Sequence, residues 1–244
     1  METPARSSRL LLWASGILAL GFLLSALIFG LFFYNARSET QTIAVVGSAT
    51  ERFHSDIAKW RLMLSRPASE TGLSAGYAGI AQDLAQLKAQ LHSAGIADSS
   101  ISVQPVNAQP RWGPNGVREG YNLMQSLFVI SPQPEVLEQL ALNPGGLLRE
   151  GAVLESSQLE YYYSQVAELK RSLLKKATED AQRRASEIAS AGQNTGVGAM
   201  LSARAGVFQI TEPYSTEVSG MGMYSTATKE KEISVTVHAT FAVD

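Results

Sequence analysis

LLLWASGILALGFLLSALIFGLFFY, residues 10–34, carries no charged side chain. At 1.5 Å of rise per helical residue the run spans roughly 37 Å, more than the ~30 Å hydrocarbon core of a bilayer. Trp13 sits near one end and Tyr34 at the other, where amphipathic rings suit the two membrane interfaces. Arg6 and Arg9 precede the run, so the positive-inside rule places residues 1–9 in the cytoplasm and everything after Arg37 on the far side. The competing reading is a cleaved signal peptide. Such peptides have an apolar core of about 7–15 residues and small residues at the cleavage site. Here the run is longer, and Phe32, Phe33, Tyr34, Asn35 and Ala36 make a poor cleavage site. A third reading is a buried core helix. The sequence favours a tail over 1–9, a transmembrane anchor over 10–34, a linker over 35–41 and one extracytoplasmic domain over 42–244.

The domain's composition is that of a globular chain. The 244 residues are 45% hydrophobic and 17% charged, too apolar for disorder. The net charge of −2 provides no basic field for nucleic acid. There is no cysteine, which excludes disulfides, thiolate metal sites and cysteine nucleophiles. The histidines are three: His54, His92 and His238.

Periodicity predicts an α+β fold. Thr42–Gly47 reads as a short strand. Ile57–Ser65 alternates as a half-buried strand ended by Pro67. A helix over about Ser69–Ala94 carries the stripe Tyr77, Ile80, Leu84, Leu87 and Leu91, with Gly95 at its C-cap. Ile101–Gln109 is a strand, Arg111–Gly120 a hairpin loop, Tyr121–Ile130 the return strand and Glu135–Leu142 a short helix. The order then recurs. Ala152–Tyr163 is a strand, and Ser164 can cap a long helix running to Ala191. That helix shows the stripe Val166, Leu169, Leu173, Ala177, Ala181, Ala185 and Ile188. Alanines four apart leave room for close approach of another element. Glu179–Arg183 and Asp180–Arg184 stand as i,i+4 pairs. Val197–Ile210 is mostly strand, Pro213–Thr228 a loop, and Ile233–Val243 a strand with Ile233, Val235, Val237, Ala239, Phe241 and Val243 on one face. Strand–helix–strand–strand thus occurs twice, in halves of about 42–145 and 151–244. The expected architecture is two such units, their long helices packed on antiparallel sheet.

These features in this order resemble the SIMPL domain family, which includes the bacterial periplasmic immunogenic and oxidative-stress-defence proteins. The resemblance rests on IAVVGSATE (43–51), Ser55–Asp56 at a strand entrance and the helix end Leu91–Ile96. It rests also on Gly120–Tyr121, the Ala-rich helix running into Gly192 and Gly196, and a last strand ending in Phe241. It covers about residues 42–243. Many relatives carry a cleavable signal where this chain has a longer apolar run. The resemblance implies a non-enzymatic envelope protein that assembles into ring or channel-like homo-oligomers, is linked to oxidative stress, and has no catalytic residues. The resemblance implies a periplasmic domain; with the apolar run and the arginines before it, the expected location is single-pass in a bacterial inner membrane, the N-terminus cytoplasmic and the domain periplasmic.

The candidate chemistry is sparse. Gly192–Gly198 (GQNTGVG) follows a helix and precedes a strand, the reverse of a dinucleotide loop, and reads as a cap and turn. His54 and Asp56 lack a second cluster to complete a metal site. His92 suits a helix C-terminus and His238 a strand's polar face. Met221 and Met223 flank Gly222; paired methionines suit Cu(I), sacrificial oxidation or an adaptable contact. Tyr161 and Tyr163 point one way from a strand end, and Trp112 sits in the hairpin loop beside Arg111 and Arg118. With the two methionines they form the candidate interface set, tyrosine and tryptophan being enriched in such surfaces. No G-x-S-x-G is present. We therefore expect no enzyme, no cofactor and no metal site. The leading reading is a self-assembling membrane-anchored scaffold with the bilayer held through residues 10–34. A channel-like or solute-binding ring comes second and a hydrolase or redox enzyme third.

Overall fold

The computed structural model of the protein describes residues 5–36, 41–146, 148, 150–192 and 196–243. The chain forms two compact units. One takes residues 1–44, 185–201 and 240–244; the other takes 45–184 and 202–239.

The first unit holds helix α1, Ala5–Ala36. Its segment Trp13–Phe33 is long and apolar enough to cross a membrane, and it is exposed along its length among the described residues. Those 21 residues rise about 31 Å, matching a hydrocarbon core. The segment is apolar on every side, so it has no polar face to turn to water. Strand β1 (Thr42–His54) starts soon after α1. In the same unit, the N–H of Val243 donates to the carbonyl of Gln41 at 2.9 Å, joining the two ends of the domain.

Two five-stranded sheets follow. The first runs β1–β10–β8–β9, with β7 also on β10; here β7 is Val197–Ala205, β8 Gln209–Thr211, β9 Met223–Tyr224 and β10 Glu230–Val243. The second runs β3–β5–β2–β6, with β4 also on β5; here β2 is Ile57–Ala68, β3 Ile101–Val103, β4 Asn107–Trp112, β5 Arg118–Ser131 and β6 Val153–Tyr162. The two sequence halves exchange edge strands. β1, from the front of the chain, completes the sheet built otherwise from the second half. β6, from the second half, pairs along β2 from Ile57↔Tyr162 to Ser65↔Val153.

The core of the second sheet gathers Trp60, Leu62, Leu64, Leu127 and Val129 with Leu87 and Leu91 of helix α2 (Leu73–Ser93) and Leu137 of α3 (Pro134–Leu142). Trp60 is wholly buried, and its ring N–H donates to Ser157 Oγ at 2.8 Å, so the burial leaves no orphan donor. Helix α2 ends as expected. Gly95 lies at φ +86°; its N–H donates to the His92 carbonyl, and the N–H of Ile96 reaches back to Leu91. This is a Schellman motif, closed by the Ile96 and Leu91 side chains in the shared core.

Helix α4 (Val166–Ala191) buries Leu173, Ala177, Ala181, Ala185 and Ala189. The close approach expected of its alanines is made by Gly47 of β1. A Cβ at Gly47 would overlap the Ala177 carbonyl oxygen and the Ala181 amide nitrogen. One turn along, the carboxylate of Asp180 accepts the N–H of Ser48 at 2.9 Å and the Arg184 guanidinium at 2.7 Å. These bonds, the backbone one first, hold the Asp180 carboxyl below its ordinary pKa.

Several expectations are corrected. Pro67 does not end β2: it pairs with Asn122 of β5, and β6 has already left the other side at Ser65, so the missing N–H costs no ladder bond. Helix α2 starts at Leu73 because Ser69 first closes a turn, its Oγ accepting from Gly72 N–H at 3.0 Å. Tyr77 is exposed, and Gly76 and Asp83 fill the inward stripe instead. The strand expected over 101–109 is two, separated around Pro105; that over 197–210 is two, separated at Gly206. Ile188 is exposed and Ala189 takes its place inward. Glu179 pairs with Lys175, and Arg183 turns to Asp180.

Candidate functional site

The residues singled out from sequence scatter. Tyr161 is 6% exposed and belongs to the core of the second sheet. Burial, with Glu138 nearby, raises its phenol above the usual range. It is withdrawn as an interface residue: its side chain is already occupied within the chain. Tyr163 is half-buried, its ring 5.0 Å from that of Phe53 and its N–H donated to the Tyr224 hydroxyl. Trp112 stands in β4 rather than in a loop, and is 62% exposed at the hairpin end beside exposed Val117. Met221 is 95% exposed, whereas Met223 is half-buried in β9, its N–H donated to Phe208.

His54 and Asp56 part company too. His54 Nε2 meets Glu230 at 3.0 Å; Asp56 accepts the N–H of Ser164 at 2.8 Å and its hydroxyl at 2.5 Å. The Ser164 hydroxyl thereby ties the entrance of α4 to the entrance of β2. His92 shares Asp98 with Lys88, and these partners, Lys88 first, lower the pKa of Asp98. Of the glycine-rich turn, residues 193–195 lie outside the described residues. Among the described residues no three His, Asp or Glu side chains converge as metal ligands.

Three charged constellations escaped the sequence reading. Asp83 is fully buried and receives two bonds from Arg66, at 2.6 and 2.8 Å. Glu160 is held by Arg61 at 3.0 Å, Lys59 at 3.5 Å and the Tyr162 hydroxyl at 3.0 Å. Lys231, at the start of β10, is wholly buried; its Nζ donates to the Thr228 carbonyl at 2.6 Å. Burial pushes its pKa down to about 8, against the pull of Glu212. The Asp83 and Glu160 carboxylates are paired within the chain, and Lys231 is enclosed.

What remains open is strand β7. Among the described residues it pairs with β10 alone, so its far edge carries N–H and C=O groups that no described strand meets. Ala199–Ala205 are exposed on both faces, and the run includes Met200 and Leu201, each about half exposed. Other edges carry protection of the usual kinds: Pro110 and Arg111 in β4, Glu155 in β6, Glu51 and Arg52 in β1. β7 has one charged residue, Arg204, and no proline. Beside it the segment 212–222 folds back over the solvent face of β10. Gln209 pins it there, giving its Nε2–H to Ser219 O at 2.6 Å and accepting the Ser219 N–H at 3.3 Å. Tyr214, at φ +65°, covers the Arg52 guanidinium at 4.2 Å.

Residues 43–241 match the model of the SIMPL family, described as a protein of unknown function (DUF541). The chain belongs to the SIMPL family. The match takes in every strand of both sheets, so the fold described above is that of this chain's SIMPL domain. No curated protein matches the sequence.

Proposed function

We propose that this protein is a non-enzymatic, membrane-anchored scaffold of the bacterial envelope whose SIMPL domain assembles into a homo-oligomer along β7. The open, apolar edge of β7 carries the reading. An unprotected edge strand is a template for pairing with another chain, and main-chain hydrogen bonds provide affinity without a deep pocket. The apolar helix over 13–33 supports an uncleaved anchor with the domain on the periplasmic side. Copies held in one membrane meet at raised effective concentration, so a weak edge contact suffices. A strand, a long helix and then several strands follow one another in each half, an order that supports duplication of one unit. A part in oxidative-stress defence rests on the family resemblance and on Met221, whose exposed thioether is open to oxidation.

The test is the mass of full-length protein extracted in mild detergent, measured by light scattering together with intact mass. The expected result is one uniform particle of several chains with residues 1–37 retained. A double substitution, Leu201→Lys with Ala203→Lys, is expected to reduce it to monomer without loss of fold, because charges on an edge oppose strand addition. A monomeric parent at micromolar concentration refutes the assembly; a mass lacking residues 1–37 refutes the anchor.

A further inference from the structure

Between Arg204, Gly206 and Val207 on one side and Val218 and Gly220 on the other lies a cleft of about 490 Å³, floored by Ser234 and Thr236 of β10. That volume falls in the range of small-molecule sites, about 300–1,000 Å³. Its floor is the face of β10 opposite the buried Ile233, Val235 and Val237 side chains, and its far wall is the segment that Gln209 pins. Gly206 keeps the floor open: a Cβ there would come within 2.7 Å of Thr236 Oγ1.

The electrostatics of this cleft set it apart. Every other arginine with a described side chain has a carboxylate oxygen within 4.0 Å. Arg204 has none among the described residues, lies over no aromatic ring, and shares the cleft with no acid. A guanidinium presents a fixed fork of donors that fits an oxyanion in two places at once. The Ser234 and Thr236 hydroxyls add donors at the same floor, and Val207 and Val218 give the walls an apolar surface.

We propose that this cleft binds a small organic anion, its carboxylate or phosphate on Arg204 and the β10 hydroxyls and its apolar body against Val207 and Val218. The site does not depend on assembly along β7, since it uses a face of the sheet rather than the strand edge.

The probes are benzoate, phenyl phosphate, inorganic phosphate and benzyl alcohol, titrated calorimetrically into the full-length protein in nanodiscs. Saturable binding of benzoate or phenyl phosphate is expected, at least tenfold weaker in Arg204→Gln and absent for benzyl alcohol. Benzoate above phenyl phosphate identifies a carboxylate ligand; the reverse order identifies a phosphate ester. Inorganic phosphate binding as tightly as phenyl phosphate overturns the apolar half of the site. No saturable anion binding, or binding unchanged in Arg204→Gln, overturns the proposal. Arg204 is exposed, so circular dichroism of the variant is expected to match the parent, and light scattering keeps this result separate from assembly.

Discussion

Replacing Lys231 with methionine removes a buried charge while keeping a flexible chain of similar length. In the folded protein the lysine is wholly enclosed, makes one bond to the Thr228 carbonyl, and has a pKa of about 8. In the unfolded chain its pKa returns to 10.5. Between these values the unfolded chain binds a proton that the folded one gives up, so stability rises as pH climbs from about 8 to 10.5. Below about 8 both states are charged and the full penalty is present, on the order of 3 kcal/mol at ~1.4 kcal/mol per pKa unit. The methionine leaves the Thr228 carbonyl without its donor, at about 1–2 kcal/mol. The net expectation for Lys231→Met is about 1–2 kcal/mol of added stability at pH 7 and none, or a slight loss, at pH 10. Guanidinium unfolding of the full-length protein in detergent, followed by the fluorescence of buried Trp60, reads this difference at both pH values; groups unchanged by the substitution cancel. A stability difference constant from pH 7 to pH 10, or a loss at pH 7, refutes the reasoning and makes Lys231 a favourable member of the loop rather than a cost.

Arg66→Ala is expected to destabilise by about 3–5 kcal/mol, because it strands the buried Asp83 carboxylate. Arg66→Met combined with Asp83→Leu is expected to recover most of that loss; a double variant as unstable as the single one refutes the explanation. Gly47→Ala is expected to cost at least about 3 kcal/mol, since overpacking here meets helix backbone that no rotamer change relieves. Ala181→Gly added to Gly47→Ala is expected not to rescue the melting temperature, because it trims a side chain and leaves the clashing backbone atoms in place.

Strong periodicity made much of this fold legible. β10 alternates over many residues with one face buried from Ile233 to Phe241, so its reading holds up to Val243, which is half-buried. Gly95 announces the end of α2 because a left-handed residue is needed there. The stripe of α4 was readable to within a residue; Ile188 failed because at that turn the inward direction falls on Ala189. Pro67 misled because a proline ends a strand only where its N–H has a partner waiting, and whether one waits is a matter of which neighbour has already departed. The edge-strand exchange carries no local signature at all. Charge pairs were hidden for the same reason: Glu160 meets Arg61 across 99 positions of sequence. Lys231 was readable in principle, since extending the alternation of β10 back from Ile233 puts it on the inward face. Of the proposed interface set, only Trp112 and Met221 are well exposed; Tyr161 shows that an aromatic run at a strand end can be core as easily as surface.

The exchange of edge strands also sets a timetable. β1 opens the domain and its partner β10 closes it, so Gln41 meets Val243 across almost the whole of the domain's sequence. The second sheet is complete once β6 is present, whereas in the first β1 waits for β10, Glu230–Val243. Until then β1 is a strand without a neighbour, tethered a few residues from the helix that precedes it. Removal of β10 would therefore take away the one strand on which β1 is held.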